Sequence, residues 1–173
     1  MSPSELLVHT VMTERPRCVR PDTPLRDAIA YMEEGRFRHL PVVNADGRLV
    51  GIVSPADYAG LAEELIDGPP PAMGQEPGPL RVADVMTSDP VALSPDDTLG
   101  LAATLFLSRL FHAAPVVDDG ELVGIVTTHD LLRAAFADVL DRLGGDAYGF
   151  SRRVGFGVGD RPPLHRLATP PAS

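Results

Sequence analysis

The chain has 173 residues, with 15 basic and 24 acidic side chains and a formal net charge of −9. That length can bury a core as one domain or two small ones, and a hydrophobic content of 44% excludes a wholly disordered chain. The acidic balance argues against nucleic-acid or anionic-membrane partners, and the complete absence of Lys removes the lysine phosphate grip and Schiff-base chemistry.

In chain order, a short helical or irregular segment runs to Met12, and a brief extended segment carries Cys18-Val19 ahead of a Pro21-Asp22 turn. Leu25, Ala28, Ile29 and Met32 follow the i, i+3, i+4, i+7 spacing of one buried face, which predicts a helix from about Pro24 to Gly35. Pro41-Val42-Val43 begins a strand, Asn44 to Gly47 supplies turn residues, and Arg48 to Val53 makes the next strand. A second helix starts near Pro55. Residues 68–79 are rich in Pro and Gly, which lack donors or cost backbone entropy, and this marks a linker.

Beyond the linker the pattern returns. Val11-Met12-Thr13 recurs as Val85-Met86-Thr87; Pro16, Pro21, Asp22 and Leu25 recur as Pro90, Pro95, Asp96 and Leu99. Pro41-Val42-Val43 recurs as Pro115-Val116-Val117. After a one-residue deletion, Leu49 to Val53 returns as Leu122 to Val126, and Asp57 as Asp130. The second unit therefore has its own extended segment at Ala92-Leu93 and a final helix near Thr128. The predicted fold is α+β: two β-α-β-β-α repeats, residues 1–67 and 80–143. Each repeat has an apolar sheet face with too little helix to cover it, so the two are expected to pack about a pseudo-twofold axis. Residues 144–173, rich in Gly, Pro and Arg, are expected to form a partly disordered tail.

The long helices of the two repeats differ. Leu101 and Leu105 stand where the first repeat has Asp27 and Tyr31, so the second helix is apolar nearly all round. Such a helix is normally buried on more than one face. This predicts a homodimer interface at Leu101 and Leu105, with contact to the linker or tail of the same chain as the alternative.

Cys18 is the lone cysteine, so no intrachain disulfide can form, and a reducing compartment is expected. The N-terminus has no basic stretch followed by an apolar core, and the longest apolar run, Leu99 to Leu107, is too short to cross a bilayer. The expectation is a cytoplasmic protein with no membrane partner. No nucleophile elbow, His-Glu-x-x-His motif or paired Cys spacing occurs, and the five His residues are scattered. No catalytic residue and no metal ligand is nominated, and the protein is expected not to be an enzyme.

Val-Met-Thr, Pro-Asp, Pro-Val-Val and Gly-Ile-Val-Ser/Thr-x-x-Asp, twice in register over about residues 5 to 140, resemble a tandem pair of cystathionine-β-synthase (CBS) domains. The resemblance implies a regulatory module, an energy sensor that binds an adenine nucleotide such as AMP, ADP or ATP between the repeats. No cofactor is required, and an unidentified regulated protein would sense the conformational change. A ligand-free module that dimerises or docks to a partner enzyme or transporter is the alternative.

The resemblance also nominates ligand residues. Ser54 and Thr127 would meet a phosphate, and Asp57 and Asp130 would accept hydrogen bonds from ribose hydroxyls. The same four residues also suit capping boxes, with Pro55 at the first helical position. Arg38 and His39 ahead of Pro41, and His112 ahead of Pro115, would supply cations to the phosphate; Arg36 and Arg109 read better as solvated helix-end residues. Cys18, Val19, Ala92 and Leu93 occupy the extended segments beside the purine, where many family members carry Thr. Pro41 and Pro115 complete the expected ligand-binding set.

Overall fold

The computed structural model describes residues 3–61, 79–109 and 111–137. The expected linker 68–79, apart from Pro79, and the expected tail 144–173 lie outside the described residues. Two 3₁₀ turns, Pro3–Glu5 and Val8–Thr10, lead into β1 (Thr13–Glu14), followed by α1 (Leu25–Gly35), β2 (Leu40–Val43), β3 (Leu49–Val53) and α2 (Pro55–Tyr58). The second repeat supplies α3 (Val82–Val85), β4 (Thr87–Ser88), α4 (Leu99–Arg109), β5 (Ala113–Asp118), β6 (Glu121–Thr127) and α5 (Thr128–Ala135). The architecture is α+β, with two small antiparallel sheets.

The helices start and stop for local reasons. α1 buries Leu25, Ala28 and Met32 on one face and ends at Arg36 in the left-handed region (φ 52°), where the Arg36 N–H bonds back to Glu33. Asn44 holds the β2–β3 turn by accepting N–H bonds from Asp46 and Arg48, both 3.0 Å, on its Oδ1. β2 and β3 pair from Leu40↔Val53 to Val43↔Leu49, and β5 and β6 pair from Ala113↔Thr127 to Asp118↔Glu121. The extended segments are present as single parallel bridges, Val19↔Val42 and Leu93↔Val116.

The sheets are not made by one repeat each. Their orders are β1-β6-β5 and β2-β3-β4, so the leading segment of each repeat completes the sheet of the other. Thr13 pairs with Ile125, and the equivalent Thr87 pairs with Ile52. The cores follow the same exchange. Val82, fully buried, joins Val19, Ala28, Met32, Leu40, Val42 and Val53 of the first repeat, whereas Val8 joins Leu93, Leu99, Ala102, Phe106, Val116 and Val126.

Backbone satisfaction explains the exchange. The first N–H groups of an α-helix have no partner within it. Leu25 N–H, opening α1, donates to Leu80 C=O at 2.7 Å, and Leu99 N–H, opening α4, donates to Leu6 C=O at 2.8 Å. Antiparallel bridges Pro24↔Arg81 and Leu7↔Thr98 extend both contacts. The two hairpins also meet through the bridge Arg48↔Glu121, which joins equivalent positions of the repeats.

Candidate functional site

Each Ser/Thr-x-x-Asp motif lies where a strand runs into a helix. At the first, Ser54 donates to Asp57 Oδ2 from its N–H (2.7 Å) and its hydroxyl (2.8 Å). At the second, Thr127 does the same to Asp130 Oδ2, at 2.8 and 2.6 Å, and Asp130 N–H returns to Thr127 Oγ1 at 3.4 Å. The capping geometry is therefore formed at both junctions. It occupies one carboxylate oxygen of each Asp and leaves the other to outside groups. Asp57 Oδ1 accepts from Thr87 Oγ1 at 3.1 Å, a bond from the leading segment of the second repeat.

Arg38, His39, Asp57 and His112 converge electrostatically. Burial holds the His39 imidazole below its ordinary pKa; the His112 and Arg38 charges act in the same direction and Asp57 opposes them. Tyr58, which the sequence reading did not nominate, belongs to this group. Its phenol is pushed up by burial and by Glu33, against Arg38, with Asp57 raising it further. Its one sequence signal was its position immediately after Asp57. Arg38 and His112 are exposed and His39 is half-buried, so basic side chains of both repeats are open to solvent.

Other nominated residues have different settings. Val19 and Leu93 are buried in the two cores, and Pro41 and Pro115 are fully buried, so these four side chains present no open surface. Ala92 is exposed. Cys18 is half-buried, and burial raises its thiol pKa, which suppresses the reactive thiolate. Arg17 lies over the rings of Tyr31 and Phe37, at 5.0 and 5.5 Å from their centroids, beside the extended Cys18-Val19 segment. Leu101 is exposed, whereas Leu105 is partly buried against the second core.

Around Asp130 a cavity of about 300 Å³ is lined by Thr10, Val11, Asp130, Arg133 and Ala134. A separate apolar groove of about 540 Å³ runs between α4 and α5, with Leu99, Ala103, Phe106, Leu107, Leu131 and Leu132 among its walls. Among the described residues no cluster of three or more His, Cys, Asp or Glu is placed to hold a metal ion, and no helix is long and apolar enough to cross a membrane.

The profile of the CBS domain matches this chain twice, over residues 8–62 and 82–137. Uncharacterized protein MJ1426 of Methanocaldococcus jannaschii is 32% identical over 153 residues, covering 75% of this chain and 90% of that protein. Homoserine O-acetyltransferase of Methanocorpusculum labreanum is 31% identical over 128 residues, but there the match covers 73% of this chain and only 23% of the larger protein. Among solved structures, CBSX2 from Arabidopsis thaliana in complex with AMP is 32% identical with a TM-score of 0.65, covering 76% of this chain and 97% of that one. The CBS domain pair of MJ0100, in complex with 5-methylthioadenosine and S-adenosyl-L-methionine, is 25% identical with a TM-score of 0.63, covering 77% and 98%.

Proposed function

The chain belongs to the CBS domain family, and on that premise we propose that it is a regulatory module whose ligand is an adenine nucleotide of the AMP, ADP or ATP class. The observation that carries this reading is the convergence of Arg38, His39 and Asp57 of the first repeat with His112 of the second. A nucleotide needs both partners that such a cluster offers: the Arg38 guanidinium and imidazole N–H donors for phosphate oxygens, and a carboxylate for ribose hydroxyls. The similar structures that hold AMP or S-adenosyl-L-methionine support an adenosine-bearing ligand. The net charge of −9 does not forbid an anion, since repulsion between distant exposed charges is screened beyond about 8–10 Å at physiological salt.

Binding would draw the repeats together across the cleft and alter the surface that a regulated protein senses. The module acts in the cytoplasm, where a lone Cys18 stays reduced. Calorimetric titration of ligand-stripped protein with AMP, ADP, ATP and S-adenosyl-L-methionine tests the reading. Saturable binding that Asp57→Asn or Asp130→Asn weakens supports it; absence of heat and of thermal shift with all four removes it.

The second reading, a docking and dimerisation module, is favoured by one observation. Leu101, Leu107, Leu132 and Phe136 are exposed on the α4–α5 side of the second repeat, with Leu107 81% accessible. Leu107 and Leu132 line one apolar groove, and exposed apolar surface of this kind marks an interaction site. We assign it to a homodimer contact, which is compatible with nucleotide binding in the clefts.

A further inference from the structure

Two methionines stand in matching settings on the exchanged leading segments. Met12 and Met86 are each half-buried, and their backbone N–H groups donate at 2.9 Å to Val8 and Val82 C=O respectively. Each side chain lies on the central strand of the sheet that its segment completes, Met12 on Gly124 of β6 and Met86 on Gly51 of β3. Each also packs against the core of that opposite repeat. A Cβ at Gly124 would meet Met12 Cγ at 3.1 Å and Cε at 3.2 Å, with the sulfur closer still. The thioether sulfur itself therefore faces bare backbone.

Little else pins these edges. β1 and β4 are two residues long, and each pairs with its neighbour at two positions only. Each strand begins immediately after its methionine. Sulfoxide formation turns an apolar, flexible side chain into a polar, chiral one. Against a glycine backbone the added oxygen has no room, and its affinity for water draws the side chain off the strand. The other sulfur groups among the described residues are less reactive. Met32 is only 3% exposed within the first core. Burial raises the Cys18 thiol pKa and so depletes its thiolate, whereas a thioether reacts through a lone pair and needs no ionisation.

We propose that Met12 and Met86 are oxidation sites for hydrogen peroxide, and that a sulfoxide at either releases its leading segment from the opposite repeat. The sulfur lone pair attacks one peroxide oxygen, an S–O bond forms and the O–O bond breaks. The second oxygen leaves as water with both peroxide hydrogens; sulfur loses the two electrons that peroxide gains. A thiol-dependent sulfoxide reductase reverses the step, releasing the oxygen as water and leaving a disulfide on the reductant. Thr87, next to Met86, donates to Asp57 Oδ1 at 3.1 Å, so release of β4 also frees that carboxylate oxygen.

Graded hydrogen peroxide on the full chain, read by peptide mass spectrometry and hydrogen exchange, is the test. Met12 and Met86 should each gain one oxygen at least about tenfold faster than Met32, which reacts only through opening of its core. Amide exchange should then speed about tenfold in β3 and β6, the strands that lose their outer partners, with a smaller change in α1 and α4. Sulfoxide reductase should restore the original rates. Met12→Leu should abolish the response in β6 alone and Met86→Leu that in β3 alone; both swaps nearly conserve volume and should fold. Oxidation of Met32 as fast as the other two would overturn the assignment. So would unchanged exchange in β3 and β6 after Met12 and Met86 are oxidised, or the same acceleration in the leucine variants.

Discussion

Met12 of the first repeat lies directly over Gly124 of the second, in the space a side chain at 124 would need, and Met86 covers Gly51 reciprocally. A Cβ on Gly51 would stand 2.5 Å from the Met86 sulfur and 3.2 Å from the Thr87 carbonyl oxygen. The recurrence of Val-Met-Thr together with Gly-Ile-Val thus has a physical basis: the methionine of one motif requires the glycine of the other, across the exchanged segments. The thioether suits the task because its flexible stem can fill an irregular space against bare backbone.

Gly124→Ala should therefore destabilise the protein by about 1–3 kcal/mol through overpacking. Met12→Ala in the same chain should restore part of that loss, because it frees the space the new methyl needs. Denaturant midpoints for the two single variants and the double variant give the coupling. Additive losses would mean that Met12 is not the obstructing group.

The exchange of leading segments makes a second prediction. Val8 and Val82 are fully buried, each in the core built mainly by the other repeat. Truncating either to Ala should cost about 2 kcal/mol. Hydrogen exchange should locate the damage across the repeat boundary: Val8→Ala should speed exchange in β5 and β6, and Val82→Ala in β2 and β3. Acceleration confined to the mutated residue's own repeat would contradict the observed packing.

His39 sets a pH dependence with a definite sign. Its folded pKa lies below its ordinary value of 6.5, so the unfolded chain binds more protons between the two values. Its contribution to stability is present above the unfolded pKa and is lost as pH falls through the folded one. His39→Gln should consequently lose less stability than wild type between about pH 7.5 and about pH 5.5, as measured by urea unfolding. Identical losses would show that other groups govern this limb. The nucleotide reading adds that a bound phosphate should raise the His39 pKa, so AMP binding near neutral pH should take up protons.

The proposed dimer is testable at one position. Leu101 is 48% exposed, so Leu101→Asp should leave the monomer fold intact while placing a charge in the contact. Light scattering should show wild type as a dimer and the variant as a monomer with an unchanged far-ultraviolet spectrum. A variant that remains dimeric would move the contact away from α4.

Much of this protein is legible in the sequence because its information is local. Leu25, Ala28 and Met32 announce α1 by helical spacing, Asn44 to Gly47 announce a hairpin, and Ser54 and Asp57 sit three apart as a capping pair requires. The duplicated motifs identify two units of one kind. What spacing alone cannot express is which unit each leading segment joins. Both repeats carry nearly the same Val-Met-Thr signal, so either sheet edge could accept either segment by local pattern. The choice is tertiary: Leu80 and Leu6 carbonyls satisfy the first N–H groups of α1 and α4, and Val82 and Val8 fill cores made by the opposite repeat. The same arrangement brings Thr87 to Asp57 across thirty positions of sequence, and His112 toward His39 across the repeat boundary. Hydrogen-bond satisfaction and core filling act on distance in space, and only the folded chain specifies that distance.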